Sequence, residues 1–396
     1  MNFIKGEGRS QTGYWTYLNS VFSAMLKTRG VLLGICVSLT GCQDQSDTIK
    51  KVDSMKEYRW RVTESAPQEY VIQIIDGHFE AEDGYLKGVP TGALVHKGWG
   101  NGRSNIVSGR EEMPLPKRFE VQWYSWREDK FYRADFELPL ERLQELVELD
   151  RRTPYTLYEH PSSTFTLGLA PGGFTVVWLT SGIHVWEVFQ GQAKESEGIP
   201  WGEMYSNPEF TKEQIVEGVI EDSLADISNN RQLNNPDYWK RLHEDVYEYD
   251  IVIESEYVPY LISAAFNNGE RHKYYSDAQN WDVSPLSMLE NLNVKFFFPD
   301  EVRAVDLGSI NTEKMYEAFR VLTQENNGSL RVVLSIDGSL LGWEFTTRLR
   351  VENDDRSIDI TDYKFGKFGG KDRIPTITES KELMRYMNYP GKPAQP

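Results

Sequence analysis

Two stretches of this chain read as β-hairpins, and they constrain its class more than any other feature. Gly173 to Gln190 contains FTVVWLT-SG-IHVWEVF, with β-branched and aromatic residues on both sides of a Ser181-Gly182 turn. Leu330 to Phe345 contains LRVVLSI-DG-SLLGWEF, turning at Asp337-Gly338. Side chains of this kind pack well on a pleated, half-buried surface. Further strand patterns fall at Tyr70–Ile75, Phe79–Leu86, Phe119–Trp126, Phe131–Leu138, Val294–Phe298 and Arg303–Leu307. Helical spacing appears at Pro139 to Asp150, through Leu140, Leu143, Leu146, Val147 and Leu149. It returns at Thr312 to Thr323, where Met315, Ala318, Phe319 and Leu322 share a face. The expected class is α+β and antiparallel β-rich.

The two halves repeat an order. Arg303–Leu307 echoes Arg133–Phe136, each before a helix and then a hairpin. Val176-Val177 matches Val332-Val333, Gly182 matches Gly338, and Trp186-Glu187 matches Trp343-Glu344 with one residue of slippage. An internal duplication would explain this. Two related β-sandwich-like or sheet-plus-helix domains in tandem are expected, at 57–205 and 246–390. Between them, 206–245 is an acidic helical linker. Thr211 and Gln214 have capping-box spacing there, and Asn229 to Pro236 breaks the pattern. A terminal helix, Glu379 to Met387, precedes a tail at 391–396.

The formal net charge is -17, which argues against nucleic acid, whose phosphates need clustered Lys and Arg. It disfavours an anionic membrane surface and suits a cationic protein partner. The two cysteines are Cys36 and Cys42, so the body has no disulfide framework and no thiolate metal site.

The sharpest local signal begins at Met25. Lys27 and Arg29 precede an apolar run from Gly30 to Leu39, of signal-peptide length and too short to span a bilayer. Leu39-Thr40-Gly41-Cys42 follows and resembles the lipobox of bacterial lipoproteins. That resemblance implies a signal peptide over 25–41, lipid attachment at Cys42, and a tether over 42–56. Gln43, by resemblance to enterobacterial sorting rules, implies an outer-membrane anchor with the body facing the periplasm. Residues 1–24 contain Glu7 and Trp15 and no apolar run, so the expected start is Met25.

Catalytic motifs do not emerge. The six histidines (78, 96, 160, 184, 243 and 272) show no metal-ligand helical spacing, and HExxH, GxSxG and GxxxxGK[ST] are missing. Gly98-Trp99-Gly100-Asn101-Gly102 is glycine-rich without matching GxGxxG, and reads as a turn-rich loop. Neither an enzyme nor a cofactor is expected.

A spaced set of residues carries a family resemblance over about residues 56–200. It comprises Trp99-Gly100, Pro116, and the stretch VQWYSWREDKFYRADFELP with Trp123, Ser125, Glu128, Phe131, Tyr132, Leu138 and Pro139. Pro171-Gly172-Gly173, Val176, Trp178 and Leu179 complete it. The chain thereby resembles bacterial lipoproteins of the domain-of-unknown-function family 2931. The resemblance implies a type VI secretion immunity-like lipoprotein that binds and neutralises a toxin of phospholipase type. The alternative is an envelope scaffold binding cell wall or outer-membrane components. Contact residues are assigned to the acidic face of the linker helix: Glu213, Glu217, Glu221, Asp222 and Asp226.

Overall fold

A computed structural model of the chain describes residues 56–369, apart from 69, 103, 105–108, 153–161, 202–210, 215, 219–234, 276–284, 299–300 and 325–327. Cys42, most of the tether, the helix expected at Glu379 to Met387 and the tail lie outside the described residues.

The first half lays down β1 (Tyr58–Ser65), β2 (Ile72–Ala81), β3 (Leu86–Gly88), β4 (Leu94–Val95), β5 (Glu112–Met113), β6 (Pro116–Ser125) and β7 (Lys130–Glu137). Helix α1 (Leu140–Arg152), β8 (Ser163–Ala170), β9 (Phe174–Ser181), β10 (His184–Gln192) and β11 (Lys194–Glu195) follow. Next come α2 (Pro236–Glu244), β12 (Tyr249–Ser255), β13 (Leu261–Phe266), β14 (Arg271–Tyr275), β15 (Leu289–Phe298) and β16 (Glu301–Gly308). The described part ends with α3 (Thr312–Gln324), β17 (Leu330–Ser339), β18 (Glu344–Glu352), β19 (Ser357–Ile360) and β20 (Lys364–Gly369). The protein is β-rich, with few helices and largely antiparallel sheets, as its aromatic and β-branched content predicts.

Pairing follows one plan twice. In the first half one layer runs β11-β7-β6-β2-β3 and the other β1-β8-β9-β10; in the second half the layers run β20-β16-β15-β13-β14 and β12-β17-β18-β19. Each half contains a parallel pair, β1 with β8 and β12 with β17, which the expected antiparallel arrangement did not include. The outer strands β11 and β20 also pair antiparallel to β7 and β16, Lys194 lying opposite Arg133 and Gly369 opposite Arg303. The layers are not separate sheets, however. Val185 on β10 pairs with Arg271 on β14, and a ten-stranded sheet runs through both halves.

Alternation explains the cores. On β6, Phe119, Val121 and Trp123 point inward, to meet Phe165 and Leu167 of β8, Val177 and Leu179 of β9, and Leu143, Leu146 and Val147 of α1. On β15, Leu292, Val294, Phe296 and Phe298 do the same against Val332 and Leu334 of β17 and the predicted face of α3. Met315, Ala318, Phe319 and Leu322 are all buried there. Each fully buried side chain of this size contributes roughly 1.5–3 kcal/mol.

Three sequence expectations change. Tyr70–Ile75 and Phe79–Leu86 are not two strands: β2 runs unbroken through Gly77, with register shifts against β6 between Ile74 and Asp76 and between Glu80 and Ala81. The second hairpin does not turn at Asp337-Gly338. Those residues stay in β17, opposite Thr346 and Phe345, and Gly338 takes φ 111°. The reversal falls at Leu340 to Trp343, where Trp343 itself adopts φ 58°. The residue matches between hairpins fail with it, because Trp186 is a buried strand residue while Trp343 sits in a turn. In pairing order the β17–β18 hairpin corresponds to β8–β9, one strand earlier than the sequence alignment suggests.

Candidate functional site

The site lies at the seam where β10 meets β14, and its construction starts in the sequence. Pro171-Gly172-Gly173 makes a tight turn in which both glycines have positive φ, 70° and 82°. A Cβ on Gly172 would stand 2.4 Å from the ring of Pro236. That contact seats the start of α2, whose N-cap Asn235 accepts from Asp237 N at 3.0 Å. Helix α2 then lays Trp239 and Leu242 on Phe174, Val176, Trp178 and Val185, over the sheet face opposite the first core. The turn is held from the other side by Glu128. Its carboxylate accepts from Gly172 N (2.9 Å), from the Tyr132 hydroxyl (3.2 Å) and from the Tyr70 hydroxyl. Ser125 Oγ accepts from Glu128 N at 3.2 Å. The Ser-x-x-Glu element is thus a bracket whose acceptors are already occupied.

Trp99-Gly100 completes the seam. The Trp99 ring packs edge-on against Trp178 with centroids 4.8 Å apart. Its indole N–H donates to His243 Nε2 at 3.0 Å. That nitrogen is therefore the acceptor, and Nδ1 donates to Glu187 Oε2 at 2.5 Å. Gly100 has φ 68° and an ideal Cβ there would come within 2.9 Å of Gly269 Cα, so glycine is required for the two backbones to touch. Trp178 Nε1 donates to Asn268 O (3.1 Å), and Asn268 Nδ2 donates to Glu187 Oε2 (3.3 Å) and Glu270 Oε2 (3.1 Å). Glu270 Oε1 accepts from Glu187 N at 2.9 Å. Burial, reinforced by the nearby Glu187 carboxylate, pushes Glu270 up to about 7.

Beside this seam is a groove of ≈ 470 Å³, within the usual range for ligand sites. Thr180, Ile183 and Val185 line one side, and Ser263, Ala265, Asn291 and Asn293 the other. Arg271 and Lys273 bring positive charge to it. Arg271 donates through Nη1 to Asn101 Oδ1 (2.7 Å) and through Nη2 to Gly100 O (2.6 Å). His184 and His272 also border it, with their Nδ1 atoms 3.2 Å apart, one donating and the other accepting. Burial pushes His184 down to about 4, and burial with the His184 neighbour holds His272 well below its ordinary value, so neither ring adds charge near neutral pH. Among the described residues, no group of three or more His, Cys, Asp or Glu is arranged to hold a metal.

The sequence placed its contact residues elsewhere. Glu213 and Glu217 are exposed on the helical turn that Thr211 opens. That turn carries the anticipated capping box: Thr211 N donates to Gln214 Oε1 (3.0 Å) and Gln214 N to Thr211 Oγ1 (3.4 Å). Lys212 pairs with Asp129, and Val216 packs near Tyr124 and Trp201. Neither glutamate borders the seam groove. Glu221, Asp222 and Asp226, like Cys42, lie outside the described residues. The groove itself was missed. Its one sequence signal is the basic run Arg271-His272-Lys273 in a chain of net charge -17.

No curated protein and no solved structure matches the chain. The family described as "Protein of unknown function (DUF2931)" matches residues 45–260, more than half of the sequence, and the chain belongs to that family.

Proposed function

We propose that the protein is a lipid-anchored envelope protein that works by capture. Cys42 holds it on the outer membrane facing the periplasm, and its body binds and neutralises a secreted antibacterial effector, of phospholipase type by the family resemblance. The two halves descend, in this reading, from one duplicated unit, since the order and sense of strand pairing recur. The observation that carries the reading is the groove: an open, partly apolar depression on a sheet face whose opposite side is filled by close-packed cores. A rigid scaffold under an exposed concave surface is suited to filling or gripping a partner's cleft. The acidic body supports fast encounter with a cationic partner.

The test is to purify the full chain from membranes together with the product of the adjacent gene. The expected result is a one-to-one complex that weakens with salt, and protection of cells from that product. Cys42→Ser should leave the protein out of the membrane fraction. Failure to bind the neighbour, or retention on purified cell wall without it, would favour the scaffold reading instead.

A further inference from the structure

We infer that the seam groove reads a carboxylate: an acidic side chain in an extended segment of the partner, anchored by Arg271. The inference rests on the capture reading above and names the chemistry that the groove would recognise.

Arg271 is the reason. A guanidinium taken out of water needs an opposite charge or costs stability. Arg271 is partly buried, and two other arginines with little exposed surface obey this. Arg303 meets Glu301 at 2.9 Å, and Arg350 meets Glu254 at 2.8 Å and Glu352 at 2.7 Å. Arg271 instead donates only to two neutral oxygens, those of Gly100 and Asn101. Among the described residues, no carboxylate lies within ion-pair distance of it. Burial pulls its pKa down, and the opposing influence is the more distant Glu290. Glu290 is itself pushed up by burial and stands beyond ion-pair distance of the guanidinium. An unmatched guanidinium at the edge of a groove, with N–H groups left over for a fork, fits an incoming carboxylate.

The surroundings narrow the choice. Lys273 also borders the groove two residues along β14, and Asn291 and Asn293 bring side-chain amides from β15. Ile183, Val185 and Ala265 give the groove apolar walls. A free, strongly hydrated anion gains nothing from such walls, whereas an Asp or Glu flanked by apolar residues buries its neighbours there. The charge is local: it stands out against an acidic whole.

The experiment uses the full chain in detergent micelles and two dye-labelled peptides, acetyl-Val-Asp-Val-Asp-Val-amide and its Asn counterpart, followed by fluorescence anisotropy. The acidic peptide should bind at least about tenfold more tightly, with affinity falling as salt rises. Arg271→Gln should remove that preference. Because Arg271 also supports the Trp99-Gly100 loop, Ser263→Glu is the sharper probe. It leaves Arg271 in place and supplies a carboxylate from within the groove. It should abolish peptide binding while keeping or raising the melting temperature. Equal affinity for the two peptides, continued binding by Ser263→Glu, or displacement by inorganic phosphate as effectively as by unlabelled peptide would overturn the inference. These outcomes leave capture of the neighbouring gene product to be judged on its own assay, so the two readings fail separately.

Discussion

Glu270 couples the seam to pH in a direction that can be worked out. Its carboxyl sits between Glu187 N and Asn268 Nδ2, and is pushed from its ordinary 4.5 up to about 7. In the unfolded chain the proton leaves near the ordinary value, while in the folded protein it stays on until about pH 7. Folding therefore holds an extra proton between those limits, and stability contributed by Glu270 falls as pH rises through that window. At about 1.36 kcal/mol per pH unit, the loss amounts to about 3 kcal/mol by pH 8. Glu270→Gln keeps an acceptor for Glu187 N and cannot ionise. The variant should match the native protein near pH 4 and exceed it by about 3 kcal/mol at pH 8. Urea unfolding followed by tryptophan fluorescence, run on both proteins across this range, reads the difference directly. The many surface carboxylates are common to both and cancel. A stability difference that stays flat with pH, or that favours the native protein above pH 7, would refute the reasoning.

Other perturbations have equally definite outcomes. Gly100→Ala puts a methyl against Gly269 backbone at a φ of 68°, and should cost roughly 1–3 kcal/mol in thermal or urea unfolding. Glu128→Ala strands Gly172 N and the hydroxyls of Tyr70 and Tyr132; a loss of roughly 3 kcal/mol is expected, with Glu128→Gln milder because its carbonyl still accepts. Asn235→Ala removes the cap of α2 and should cost about 1 kcal/mol, read as increased hydrogen exchange at Asp237 N.

What the sequence made legible follows from where each signal is stored. Phe119 to Trp126, Phe131 to Leu138 and Thr312 to Thr323 fold nearly as read, because their periodicity is local and their inward side chains meet a core. The Asp337-Gly338 turn was misread for an equally local reason: the dipeptide is a strong hairpin signal, yet Gly338 serves as a positive-φ strand position opposite Phe345. The real reversal, Leu340-Leu341-Gly342-Trp343, has little turn chemistry. It is held by distant contacts: Leu340 is buried, its carbonyl accepts from Arg303 Nη1 at 2.5 Å, and the Arg303 guanidinium lies over the Trp343 ring. The groove was illegible because β10 and β14 meet through one residue pair, Val185 with Arg271, far apart in sequence. Trp99-Gly100 and Trp178 were visible as a spaced pattern, but only the fold brings them together with His243 and Asn268.

The parallel pairing of β1 with β8 sets a timetable for the growing chain. Among the described residues Tyr58–Ser65 is the first strand to emerge, yet both neighbours it will zip to, β5 and β8, are made later, and β8 only after α1. The second half imposes the same wait on β12, which must idle until β17 arrives. Long-range closures of this type are slow. Until each latecomer docks, an unsatisfied strand edge is open to other chains. A protein built this way gains from being escorted while it folds, and a truncation ahead of β8 or β17 should leave an aggregating fragment rather than a smaller folded one.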